Sequence, residues 1–280
     1  MKRIAFTLIE LLIVLSISAT LLIIFIPSLR KARNGARKVI CCSNLKQIET
    51  GLLEYAINNK SFPYSFCNPS LISMKPKGGY AGYSNYSRRG WWWFDFVDGV
   101  YNRSDEKKTI AKCPSKFLND TLLNKDILCG NYGVNRSICK SSDDRQSRRE
   151  EFIGKPLKMD EIPKPSQTLL SMDSGYALIS WWNATDVPPV PLENSPIEDT
   201  SYVPGLSINK NYKDKRRLMQ CQEQDAVYGR HPNKKVNVGF VDGHIELKKA
   251  DDLLVEQYED VYKNKTPIWV PNKKYPNFDQ

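Results

Sequence analysis

The pattern of apolar and polar positions divides the first sixty residues in two. From Phe6 to Leu29 the chain is a nearly unbroken apolar run, long enough to cross a bilayer, with Glu10 as its one charge. A carboxylate at membrane depth costs a few kcal/mol, so Glu10 needs a partner or access to water. From Arg30 to Asn58 the pattern becomes periodic: Cys41, Leu45, Ile48, Leu52 and Tyr55 recur at helical spacing, with no proline and many good helix formers. Gly35 and Gly51 weaken this stretch without breaking it. The two segments predict one helix from Phe6 to about Asn58, bent at Pro27, whose second half packs on a domain.

Beyond residue 61 the pattern is less regular. The segment 61–102 is rich in Gly, Ser, Tyr and Pro and ends in "GWWWFDF". Three consecutive tryptophans cannot share one side of a strand or helix, so at least one of Trp91, Trp92 and Trp93 is expected at a boundary or surface. They read as core and rim packing, or as a platform for carbohydrate or a partner. The stretch "KSSDDRQSRREE" (140–151) reads as a solvated loop, and "DVPPVPLENSPIED" (186–199) as a proline-rich excursion outside any central strand. Near the C-terminus, Asp242-Gly243 between "VNVGFV" and "HIELKK" predicts a hairpin with a two-residue turn. That register sets Gly239 opposite Glu246 and Val238 opposite Leu247, and gathers Val238, Phe240, Ile245 and Leu247 on a core face. "ADDLLVEQYEDVYKNK" (250–265) reads as a short amphipathic helix carrying Leu254, Tyr258 and Val261 on one side. These elements make the chain α+β, with an antiparallel sheet expected against the helix.

Composition narrows the chemistry. With 280 residues, 26% charged and 41% hydrophobic, the chain has room for one large domain, or a stalk and a domain. A net charge of +10 permits contact with nucleic acid or anionic lipid but specifies neither. The seven cysteines form no Cys-x-x-Cys pair, which excludes a zinc ribbon, and their odd number leaves one thiol unpaired. The only histidines, His231 and His244, stand near Asp242 and invite a metal reading. Turn chemistry already accounts for Asp242 and Gly243, however, and His244 falls on the face away from the core. No nucleophile elbow, phosphate loop or zinc-protease motif occurs. The residues give enzymatic activity no support and lead us to expect no cofactor and no metal.

The N-terminus itself admits three readings. Lys2 and Arg3 before an apolar stretch, with Ser16 and Ser18 ahead of Ala19, fit a cleaved secretory signal, although cleavage there leaves "LLIIFIP" behind. The uninterrupted span also fits a plain signal anchor. The cluster Arg30, Lys31, Arg33, Arg37 and Lys38 then favours a cytoplasmic C-terminal domain. The third reading rests on likeness: "KRIAFTLIELLIVLSI" resembles the cleavage and methylation motif of type IV prepilins and of the pseudopilins of type II secretion. The resemblance implies a cut between Ala5 and Phe6 by a prepilin peptidase, N-methylation of Phe6, and Glu10 as fifth residue of the mature chain. Pro27 falls where the family places a helix-bending proline. Glu10 would then neutralise the new Phe6 amine, of its own chain or of a neighbour, among packed apolar helices.

The likeness continues along the chain. "ARKVICCSNLKQIETGLLEYAINN" resembles the stalk of pilin-like proteins carrying a processing-associated H-X9-DG domain. Further matches are "KCPS" (112–115), "YGVN" (132–135), "PSQTLLSMDS" (165–174) and "RHPNKKVNVGFVDGHIE" (230–246). His231, Asp242 and Gly243 correspond to the family motif, with ten intervening residues where the label counts nine. The resemblance divides the chain into a leader (1–5), a transmembrane and assembly helix (6–29), an amphipathic stalk helix (30–60) and an extracytoplasmic α+β domain (61–280). It implies a single-pass protein of the bacterial inner membrane, with its C-terminal domain periplasmic, or extracellular after assembly. The implied role is structural, in a type II pseudopilus or a type IV pilus-like filament. Its partners would be other filament subunits, the prepilin peptidase, an assembly ATPase, an inner-membrane platform protein and membrane lipid. In that oxidising location Cys41 or Cys42 is expected to form a disulfide with Cys113. A filament-tip binding module for DNA or glycan is the alternative.

Overall fold

The computed structural model describes residues 7–68, 82–83, 88–100, 109–118, 124, 126–143, 150–185, 201–212, 220–258 and 261–271. The proposed cut between Ala5 and Phe6, the proline-rich stretch 186–199, Cys221 as a side chain and the tail beyond residue 271 lie outside what is described.

One helix, α1 (Leu8–Asn59), carries both apolar patterns and runs through Pro27. Thr7 caps its start: its hydroxyl accepts from the Glu10 amide, and the Glu10 carboxylate accepts from the Thr7 amide at 2.8 Å. Lys60, in the left-handed conformation, ends it. The apolar side chains from Leu8 to Leu29 are exposed. Burial begins at Cys41 and continues through Leu45, Ile48, Glu49, Leu52 and Ala56, so the stripe marks the docked face and Tyr55 borders it, half-buried.

The docked half lies on a five-stranded sheet. In chain order the strands are β1 (Phe66–Cys67), β2 (Gly82–Tyr83), β3 (Arg88–Arg89), β4 (Trp91–Trp92), β5 (Tyr132–Asn135), β6 (Leu169–Asp173), β7 (Leu178–Ile179), β8 (Lys235–Phe240), β9 (Ile245–Lys249), β10 (Glu256–Tyr258) and β11 (Val261–Lys263). The large sheet runs β7-β5-β6-β8-β9; pairs β1–β4, β2–β3 and β10–β11 stand apart. Its interior pairs are antiparallel as expected, whereas the edge strand β7 joins β5 in parallel. Both faces are covered. Leu45, Ile48 and Leu52 of α1 pack with Trp92, Val134 and Leu170 on one side. On the other, Met172, Val236, Val238 and Phe240 meet Trp181 and Trp269.

Four local expectations are corrected. The C-terminal hairpin turns through three residues, Val241–Gly243, instead of two: the Phe240 amide donates to the His244 carbonyl (3.0 Å) and the Gly243 amide to the Phe240 carbonyl (2.7 Å). Gly243 alone of these has positive φ (+86°), whereas the expected turn needs it at both central positions. The register therefore slips by one, setting Gly239 opposite Ile245 and Val238 opposite Glu246. Val238 and Phe240 consequently join one cluster while Ile245 packs on the other.

Trp91, Trp92 and Trp93 are all buried, at 3, 0 and 1% exposure. The backbone passes from strand to helix between Trp92 and Trp93, where α2 (Trp93–Phe96) begins, and this turns successive side chains to different parts of the interior. A stacking platform made of these three rings is thereby removed. The segment 250–265 contains a 3-10 turn (Ala250–Leu253) and the β10–β11 ladder in place of a helix. Leu253 and Val255 are buried there, while Tyr258 and Val261 are exposed. Lys140 and Ser141, at the start of the expected solvated loop, are buried, Glu150 near its end is exposed, and 144–149 lie outside the described residues. Ser65 and Ser141 share a hydrogen bond, and the Ser65 amide donates to the Lys140 carbonyl.

The helix approaches β8 so closely that Gly239 lies directly under the Glu49 carboxyl, where a methyl group would overlap it. Gly239→Ala is expected to cost roughly 1–3 kcal/mol of stability from overpacking. Measured by urea unfolding, Glu49→Ala in the same chain should lessen that cost, and an unchanged cost would place the strain elsewhere.

Candidate functional site

Three separated segments converge where the docked half of α1 begins. Cys41 is the first buried residue of the helix; Cys113 comes from the loop 109–118; His231 precedes the turn Pro232–Lys234 that leads into β8. Asn233 and Lys234 adopt positive φ, which makes the turn between His231 and β8 tight. The two sulfurs stand 2.8 Å apart, and one ring nitrogen of His231 lies within 4.8 Å of both. All three residues are buried.

The surrounding groups fix this cluster. His231 Nε2 meets Asp173 Oδ2 at 3.1 Å, at the end of β6. The same oxygen accepts from the backbone amide (2.7 Å) and side-chain amide (2.9 Å) of Asn237. The Cys113 amide donates to Asn131 Oδ1 (3.0 Å), and the Tyr132 hydroxyl to the Cys41 carbonyl (3.3 Å). Next to His231, Arg230 makes a bidentate ion pair with Asp225 and donates to the Asn131 and Ser174 carbonyls. The Tyr202 hydroxyl completes the Asp225 shell at 3.0 Å.

Electrostatics follow from these contacts. Burial alone would lower the His231 pKa, but hydrogen bonding to Asp173 and contact with Cys41 raise it to about 9. Burial would raise Asp173, yet hydrogen bonding and charge from His231, with Arg230 nearby, hold its carboxyl below the usual range. The hydrogen bond from Cys113 draws Cys41 down, while burial pushes Cys113 up.

Of the residues singled out in the sequence, Cys41, Cys113 and His231 come together. Cys41 and Cys113 touch as thiols: the described cysteines are free, so the expected disulfide is absent here. Cys42 remains outside the cluster and half-buried. His244 is separated from His231: its Nδ1 contacts Asp242 at the exposed hairpin turn and its ring stacks on Phe240, so the His231, Asp242 and His244 ligand set does not form. Glu10 is at the exposed helix start, and Pro27 lies within the apolar half.

Sequence reasoning missed Asp173 and Glu49. Asp173 stands in the quoted "SMDS" but nothing local marks it as the partner of His231. Glu49 follows Leu45 by one helical turn and so belongs to the buried stripe; its position was the available signal. No protein-family model, curated protein or solved structure matches this chain.

Proposed function

We propose that the protein is a prepilin-like structural subunit of the bacterial inner membrane, processed at Phe6 and assembled into a pseudopilus or a pilus-like filament. The observation that carries this reading is the division of α1. Among the described residues it is the one helix long and apolar enough to cross a membrane, and its second half is the docked core helix of an α+β domain. From Leu8 to Leu29 the helix rises about 33 Å, close to the thickness of a bilayer's hydrocarbon. One helix can thus hold the subunit in the membrane and later pack against the same helix of neighbouring subunits. A plain anchor explains the span but leaves Glu10 without purpose.

The capping geometry adds a reason for that residue. The Glu10 carboxylate folds back to the Thr7 amide, one residue from Phe6. Cutting before Phe6 places the new amine within reach of this carboxylate, so each helix start would be neutralised before burial in an assembly. Partners on this reading are other subunits, a prepilin peptidase, an assembly ATPase and a platform protein.

Mass spectrometry of the chain isolated from cells should find a mature terminus at N-methyl-Phe6. A chain starting at Ala19, or retaining Met1, overturns the proposal. Glu10→Ala should still fractionate with the membrane while losing recovery in sheared or pelleted filaments. Filaments at normal yield would remove the assigned role of Glu10.

A further inference from the structure

From the geometry around Cys41 we infer a zinc site formed by Cys41, Cys113 and His231, with Asp173 as the residue that orients the histidine. The three donor atoms lie within 4.8 Å of one another, from chain positions that only the fold brings together. Two thiolates and one imidazole are a known protein ligand set for Zn²⁺, leaving a fourth position for water or a hydroxyl. Ser115 Oγ lies 3.5 Å from Cys41 Sγ, a hydroxyl at the edge of the same cluster.

The histidine supplies an independent observation. Its Nε2 meets the Asp173 carboxylate, and Asp173 is itself fixed by two bonds from Asn237. With Nε2 bonded to the carboxylate, Nδ1 is the nitrogen left to ligate a metal once the ring gives up its second proton. Here Nδ1 is buried without a hydrogen-bond partner, in a residue only 4% exposed. A buried ring nitrogen is costly to leave unmet, and a carboxylate behind the ring is the arrangement that fixes the tautomer and orientation of a metal-bound histidine. The ordinary alternative, a histidine satisfied by core hydrogen bonds, accounts for Nε2 and leaves Nδ1 unexplained.

Some movement is required. Two sulfurs on one tetrahedral zinc are separated by about 3.8 Å, given Zn–S bonds of about 2.3 Å, against the 2.8 Å between these sulfurs. Cys113 lies on a loop of irregular backbone and Cys41 at the start of the docked helix face, so a small outward shift of the loop makes room. Binding is balanced by loss of two protons, one from Cys113 S–H and one held between Cys41 and His231: Zn²⁺ gains two Zn–S bonds and the imidazole lone pair, and two protons go to solution. The ion would staple the stalk helix to the loop 109–118 and to the start of β8. The inference stands whether or not the N-terminus is processed.

The test uses the full chain in detergent, purified without chelator, reduced anaerobically and then exposed to zinc alone. Elemental analysis should find one zinc per chain after desalting. Cobalt(II) in its place should give the thiolate charge-transfer absorption of a sulfur-ligated tetrahedral ion. Cys41→Ser, Cys113→Ser and His231→Gln should each lower zinc affinity at least tenfold, whereas Cys42→Ser should leave it unchanged. Should the variants fail to fold, the cobalt spectrum of the unaltered chain still decides the ligands. A reduced, folded chain that takes up no zinc overturns the site. So does equal uptake by Cys41→Ser, or a Cys41–Cys113 disulfide as isolated that, once reduced, binds no metal.

Discussion

Glu49→Gln is expected to stabilise the domain at neutral pH and to flatten its stability profile between about pH 4.5 and 8. Burial raises the Glu49 pKa from 4.5 to about 8, only partly offset by hydrogen bonds from Ser171. Its Oε1 accepts from the Ser171 hydroxyl at 2.6 Å, and Oε2 has no hydrogen-bond partner. In the unfolded chain the carboxyl loses its proton near pH 4.5, whereas the folded chain keeps it until near pH 8. Stability associated with the neutral acid is therefore fully present below pH 4.5, declines as pH rises, and is lost by pH 8. At about 1.4 kcal/mol per pH unit, the loss at pH 7 is roughly 3 kcal/mol. Glutamine cannot ionise and escapes it. Urea unfolding of both full chains in detergent across this range is the measurement; parallel profiles would show that Glu49 titrates normally.

The second large effect concerns the ion pair beside His231. Both side chains of Arg230 and Asp225 are fully buried, 2.6 Å apart. Removing one partner of such a pair strands the other charge away from water, at a cost of about 3–5 kcal/mol. Asp225→Ala should therefore lower unfolding stability by that amount, since the Asn131 and Ser174 carbonyls and the Tyr202 hydroxyl do not supply a countercharge. The double variant Asp225→Leu with Arg230→Met should recover part of the loss, because no charge is then left buried. A loss below about 1 kcal/mol in the single variant would mean that water reaches the guanidinium.

Glu49 and Asp225 have a common lesson. Neither belongs to a motif: Glu49 carries only its place on the buried stripe of α1, and nothing local marks Asp225. Glu49 becomes costly because the fold seats its carboxyl against Gly239, 190 positions away, and buries it there. Asp225 gains its importance from Arg230, whose remaining donors reach carbonyls near residues 131 and 174. The hairpin at Asp242 is intermediate. Its existence was legible in Asp-Gly between alternating apolar residues, but one residue in the turn decided which side chains met the core, and local propensity does not resolve that choice.

The sequence by itself determined α1: a continuous apolar run followed by a helical stripe admits one regular solution, and the observed bounds Leu8–Asn59 differ little from those expected. It also determined which face docks, from Cys41 through Leu52, because burial follows the stripe. Tertiary structure alone decided that Trp91 to Trp93 are all interior, that the segment 250–265 contains a ladder, and that His231 joins Cys41 and Cys113 at one buried point. Helical periodicity is set within a few residues by backbone geometry. The cluster depends on contacts spanning 72 residues and more, between segments whose own patterns carry no record of one another.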